Sequence, residues 1–244
     1  MDVSTVAKLF GASPDDSVVK DTLRLIEEHL NIDQASSTQP DIATYPDISY
    51  HNYPPLGLAI SYLPRASISK ATSVTTNRWS FGRIDFYNPP PGPRPRRRGD
   101  KQPWDGYTPP TYPIRFTFPT DTITVPPKKD GEDSSTTSRP TLLGVTTSTS
   151  GKDFVACFGE PTKKGGGDNA YVPPFLEWSR VNLSSVNSIG RENSKNIVTV
   201  GIMVELRTPA PSETSTPVQQ GNGGLWDRAA GWPWGSLKVF KPDH

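Results

Sequence analysis

Three carboxylates stand inside segments that read as strands: Asp85, Glu177 and Glu205. Strand side chains alternate between two faces, so residues on paired strands are brought together whenever their register agrees. If the strands carrying Glu177 and Glu205 pair, the two carboxylates share a face. One would then titrate high and act as an acid, with Asp85 as a third candidate, which is the chemistry of a hydrolase-like centre. The competing reading is that both point to water or pair with Lys163, Lys164 or Arg207, because antiparallel strands usually keep their carboxylates on the wet face.

Other residue groups point to binding. Lys163, Lys164, Gly165, Gly166 and Gly167 could cradle an anion, since glycine-loop N–H groups and lysines both favour negative charge. A phosphate loop of the P-loop kind, however, needs Gly-Lys-Ser/Thr to enter a helix. Here the glycines lead through Asp168 and Asn169 toward a strand, which suits a linker equally well. Arg94, Arg96, Arg97 and Arg98 form a basic patch that would serve RNA binding or nuclear import, with Trp104 and Tyr107 as the nearby stacking aromatics. A solvated loop gives the same pattern. Trp226, Trp232 and Trp234 would line a sugar or peptide site, or seal the end of a core.

Metal and thiol chemistry find little to work with. The histidines are His29, His51 and His244, with no His-x-x-x-His pair and no Cys-x-x-Cys pair, so no metal site is expected and no cofactor motif is found. Cys157 is the single cysteine and lies on an apolar helix face, where packing in the core is the expectation. A lone cysteine makes no internal disulfide. The start Met1-Asp2-Val3-Ser4 lacks the form of a secretion signal, and no apolar run reaches the roughly 18 residues of a membrane span. The expectation is a cytoplasmic protein, with the nucleus as a further location through the arginines. Without secretion, the tripeptide Arg98-Gly99-Asp100 and the sequon Asn182-Leu183-Ser184 have no role.

The elements that must position these residues follow from periodicity. Ser13-Pro14-Asp15-Asp16 opens a helix over 14–31, with Val19, Leu23, Ile26 and Leu30 at helical spacing. Strands follow around Ile48–Tyr50, at 56–62, at 79–87 with a break near Gly82, and at 114–118. A second helix at 150–158 ends at Gly159, placed for a left-handed cap and followed by Pro161. Strands at 175–179 and 197–207 come next, with a closing strand at Leu237–Phe240. Prolines number 27 in 244 residues, about twice the usual ~5%. They gather in loops, so 88–113 reads as an exposed extended insertion, and 126–140, 179–196 and 208–224 as polar insertions. The fold class is α+β: two similar helix-plus-antiparallel-sheet lobes, 1–125 and 141–244, loop-rich, with a lobe pair or one continuous sheet both open.

Several phrases resemble a family of uncharacterised proteins of mushroom-forming (basidiomycete) fungi. They are Tyr45-Pro46-Asp47, Tyr50-His51-Asn52-Tyr53-Pro54-Pro55-Leu56-Gly57-Leu58, Asp85-Phe86-Tyr87-Asn88, Gly159-Glu160-Pro161-Thr162-Lys163-Lys164-Gly165-Gly166-Gly167, Glu177-Trp178 and Gly201-Ile202-Met203-Val204-Glu205. The resemblance spans most of 14–240 and implies no activity, so no catalytic residue is carried over.

A net charge of +1 gives no global field toward nucleic acid or membrane. The leading reading is therefore a non-enzymatic intracellular protein that binds another protein. The alternatives are a hydrolase-like enzyme using the strand carboxylates and a nuclear, nucleic-acid-associated protein using 94–101.

Overall fold

The structure, a computed structural model, describes residues 1–30, 39–65, 78–92, 102–125, 133–167, 172–185, 197–209 and 224–242. A 3-10 turn at Val3–Lys8 leads to helix α1 (Ser17–His29). Strands β1 (Asp41–Thr44), β2 (Ser49–Tyr53), β3 (Leu58–Pro64) and β4 (Trp79–Tyr87) then run as an antiparallel meander. Next come β5 (Ile114–Thr117), β6 (Thr122–Val125), β7 (Ser135–Ser138) and β8 (Leu142–Val145), nested so that β6 pairs β7 and β5 pairs β8. Helix α2 (Gly151–Phe158) precedes β9 (Lys163–Gly165), β10 (Phe175–Ser184) and β11 (Ile197–Leu206). Short helix α3 (Leu225–Ala229) and β12 (Trp234–Phe240) close the chain.

The two meanders merge in one eight-stranded antiparallel sheet, ordered β1-β2-β3-β4-β12-β11-β10-β9. The join is β4 on β12, with Tyr87 opposite Ser236 and Arg83 opposite Phe240. The chain is thus a mixed α+β protein built on one large sheet.

One face of that sheet is the core. Leu58, Ile60 and Tyr62 of β3, Ile84 and Phe86 of β4, Leu237 and Val239 of β12, and Val200, Ile202 and Val204 of β11 are all buried there. The cover comprises Val3, Val6 and Leu9 of the N-terminal turn, Val19 and Ile26 of α1, Phe116 of β5, and Phe154 and Phe158 of α2. Phe158 meets Phe116, Phe118 and Trp178 with ring centroids 5.1, 5.6 and 5.1 Å apart. Each large side chain so buried contributes roughly 1.5–3 kcal/mol.

Several expectations change. Helix α1 begins at Ser17, because Asp16 turns back to accept from the Ser13 amide at 2.6 Å and holds residues 14–16 in a turn. Helix α2 is set by Ser150 and Asp153, whose Oδ2 accepts from the Ser150 amide at 2.8 Å and its hydroxyl at 2.6 Å. Gly159 ends that helix with φ 81 and ψ −162, a positive-φ extended conformation rather than the left-handed cap. Residues 135–138 are strand rather than linker, and 179–184 continue β10 rather than opening an insertion.

The segment after Asn88 is not uniformly exposed. Trp104 and Tyr112 are buried; the Tyr112 hydroxyl donates to Leu56 O at 3.0 Å. Trp104 lies on Gly235, where a methyl group would overlap its ring, and packs with Ala59 and Tyr87. Composition pointed to solvent, but these aromatics carry enough apolar area to bind the loop back onto the sheet.

Candidate functional site

The second face of the sheet carries the charge. Register places Asp41, Asn52, Ala59, Asp85, Lys238, Met203, Glu177 and Lys163 in one row across all eight strands. The rows beside it bring Ser61, Arg83 and Phe240 on one side, and Tyr87, Ser236 and Glu205 on the other. Asp85, Glu177 and Glu205, separated in sequence, therefore lie on one face of three different strands.

None of the three is a bare acid. Glu177 Oε1 lies 3.0 Å from Lys163 Nζ. Glu205 accepts from Lys238 Nζ and from the Ser236 hydroxyl. Asp85 is 3% exposed, with its Oδ1 2.8 Å from Arg83 Nε. That contact is between charges and is not aligned as a hydrogen bond, since neither atom has a hydrogen-bond partner. Burial pushes the Asp85 carboxyl above its usual range, against the pull of Arg83 and Lys238. Burial likewise works against the Arg83 charge and is the largest single influence on it, but Asp85 together with Tyr50 and Tyr87 outweighs it and raises the guanidinium pKa.

A cavity of about 920 Å³ opens on this face. Met203, Phe240 and Leu63 give it apolar walls; Arg65, Arg83, Lys163, Lys238 and Lys241 give it cations. Glu177 also lines it. Leu63 is 47% exposed, a large apolar side chain left facing outward. The Phe240 ring lies against the Gly201 backbone, in space that a methyl group at Gly201 would overlap. An extra residue at Gly82 shifts the β3–β4 register, so that Phe81 and Ile84 both reach the core while Arg83 stays on the second face.

The glycine segment forms the edge of this sheet. Lys163–Gly165 pair with Phe175–Glu177. Gly166 (φ 74) and Gly167 (φ 80) turn the chain, and a side chain at Gly166 would strike Pro173 O. The Gly167 amide donates to Val172 O at 2.7 Å, Lys164 pairs with Glu160, and Lys163 pairs with Glu177. These groups are thus engaged within the hairpin.

Arg207 lies away from Glu205: past a register shift in β11 it is buried, and its Nε donates to Asn88 O at 2.9 Å. Asn88 Nδ2 in turn donates to Thr147 O and Trp234 O at 2.9 and 2.8 Å, fixing the end of β4. Trp234 is buried in the core and donates to Thr146 O at 2.7 Å, while Trp226 and Trp232 pack against it partly buried. Cys157 is buried, its thiol pushed up by burial, with Asp153 adding to the effect. Arg94, Arg96, Arg97 and Arg98 lie outside the described residues. Among the described residues no group of three His, Cys, Asp or Glu side chains could hold a metal ion, and no helix is long and apolar enough to cross a membrane.

Sequence reasoning missed Arg83, Lys238, Ser236 and Phe240. The signal was present: Arg83-Ile84-Asp85-Phe86-Tyr87 and Ser236-Leu237-Lys238-Val239-Phe240 each alternate polar and apolar residues. Comparison of the chain with protein-family models, with curated proteins and with solved structures found no match.

Proposed function

We propose that the chain is a non-enzymatic binding protein whose working surface is the cleft on the charged face of the sheet. The observation carrying this reading is the pairing of the three strand carboxylates: Asp85 with Arg83, Glu177 with Lys163 and Glu205 with Lys238. A carboxylate beside a cation is favoured as the anion and is a poor proton donor. Asp85, which burial does raise, lies beneath the surface where a bound molecule would not reach it. The open cleft beside them combines apolar walls with a few convergent polar groups, the usual make-up of a small-molecule site.

The mirrored strand order, with a helix ahead of each four-strand set and the two sets joined at their last strands, also supports two related halves. Five of the phrases resembling the basidiomycete proteins supply residues to this face, through Asn52, Asp85, Lys163, Glu177 and Glu205, and membership of that family is proposed on the same footing.

Met203→Trp fills the cleft from its floor. In a thermal-shift screen of the full chain, small organic molecules that raise the melting temperature of the wild type are expected to be silent on this variant. Shifts that persist in the filled variant would move the binding surface elsewhere. Hydrolysis of chromogenic esters, glycosides or phosphomonoesters that disappears in Glu177→Gln would replace the binding reading with the hydrolase one.

A further inference from the structure

Among the cations of the cleft, Arg83 is the one held in place by a buried carboxylate. Its guanidinium lines the cavity with a side chain 34% exposed. Its one polar contact among the described residues is the Nε approach to Asp85 at 2.8 Å. A guanidinium has five N–H donors in a planar fork, four of them on the two terminal nitrogens. Asp85 therefore holds the inner side of the group and leaves the outer edge to the cleft, the arrangement by which a buried carboxylate aims an arginine at an anion. Lys238 and Lys163 are committed by comparison, to Glu205 and Glu177, while Lys241 and Arg65 line the cavity as exposed side chains without a carboxylate partner among the described residues.

Around this fork the walls are apolar. Phe240 stands directly opposite Arg83 in the register, its ring against Gly201. Met203 lies one strand further, opposite Lys238, and Leu63 closes the other side beyond Ser61. Resting on the reading of the cleft as the binding surface, we propose that it takes an organic monoanion: a carboxylate head on the outer edge of Arg83 and an apolar body along Phe240, Met203 and Leu63. A planar head of single charge matches the fork. A carboxylate sets two coplanar oxygens against that edge, whereas a tetrahedral phosphate does not match it and would draw instead on the other cations of the lining, Arg65 and Lys241.

Calorimetric titration of the full chain with octanoate, octanol and octyl phosphate tests this. Octanoate is expected to bind at least about tenfold more tightly than octanol, the scale of one charge-assisted paired contact. Arg83→Lys keeps a charge beside Asp85 but removes the fork. It is expected to lose about tenfold in octanoate affinity and to leave octanol unchanged. The double variant Arg83→Gln with Asp85→Asn, which leaves no buried charge alone, is expected to lose as much and covers the case in which Arg83→Lys does not fold. Octanol binding as tightly as octanoate, with both lost in Met203→Trp, would overturn the carboxylate head and leave the cleft standing as a binding surface. Tighter binding of octyl phosphate, absence of heat with octanoate, or indifference to both Arg83 variants would also overturn it. Octanoate binding that survives Met203→Trp would sink this proposal together with the cleft it rests on.

Discussion

Strand β4 sends Phe81, Ile84 and Phe86 to one face of the sheet and Arg83, Asp85 and Tyr87 to the other. On the first face the neighbours are mainly apolar, and the side chains depend on shape and volume. On the second, each carboxylate depends on a cation: Lys238 reaches Glu205 and Lys163 reaches Glu177 from the neighbouring strand, and Arg83 reaches Asp85 from two residues away on β4 itself. The contrast separates two roles within a single element. The apolar face carries the larger share of the burial, and the charged face carries the groups that can meet a ligand.

Substitutions on the two faces should divide accordingly. Phe86→Ala and Ile202→Ala, both at fully buried positions, are expected to cost about 3–5 kcal/mol in chemical denaturation, with the denaturant slope unchanged. Arg83→Ala strips Asp85 of its partner and is expected to cost roughly 2–3 kcal/mol, less than a fully buried pair because Arg83 is partly solvated. Adding Asp85→Asn should recover a large part of that loss, and a double-mutant cycle showing no coupling would put the pair outside the energetics of this face. Gly201→Ala pushes Phe240 off the sheet and is expected to cost about 1–2 kcal/mol. Lys163→Ala breaks a pair whose lysine is 66% exposed, and should move stability by less than about 1 kcal/mol.

Titration sharpens the contrast with the smallest expected effect. His51 packs on Tyr62 with ring centroids 4.7 Å apart, and burial lowers its pKa below 6.5, with Asp15 opposing. The unfolded chain therefore takes up a proton near pH 6.5 before the folded one does, and stability falls as pH drops through 6.5 toward the folded value. His51→Phe should flatten the stability profile in that window. An unchanged profile would show that this histidine is solvated in the folded chain.

Much of the apolar face was legible from local pattern. Val198-Thr199-Val200-Gly201-Ile202-Met203-Val204 alternates along β11 without a break, and α1 showed its buried Val19 and Ile26 by spacing alone. Glu177 and Glu205 could be placed on one face if their strands paired, and they do pair, with Glu177 opposite Met203. The charged face as a whole was not legible. It depends on β4 meeting β12, and no local period records which strand lies beside which. The long loop after Asn88 misled for a related reason: prolines and arginines dominate its composition, whereas Trp104 and Tyr112, a few residues among many, decide where it lies. Gly82 read as a break because the residue count shifts there, when it is a bulge inside a continuous strand.

The seam between β4 and β12 also fixes an order of events during synthesis. β4 leaves the ribosome with β3 to pair with on one side, while the strand that covers its other side, β12, comes far later in the sequence. Until β12 emerges, the nascent N-terminal half presents an open strand edge whose apolar side chains await their final neighbours. Closing that edge requires contacts between distant parts of the chain, which slows folding. A ribosome stalled ahead of residue 234 would therefore hold a chain prone to pairing with its neighbours on the polysome, and emergence of β12 is the step that closes the edge against them.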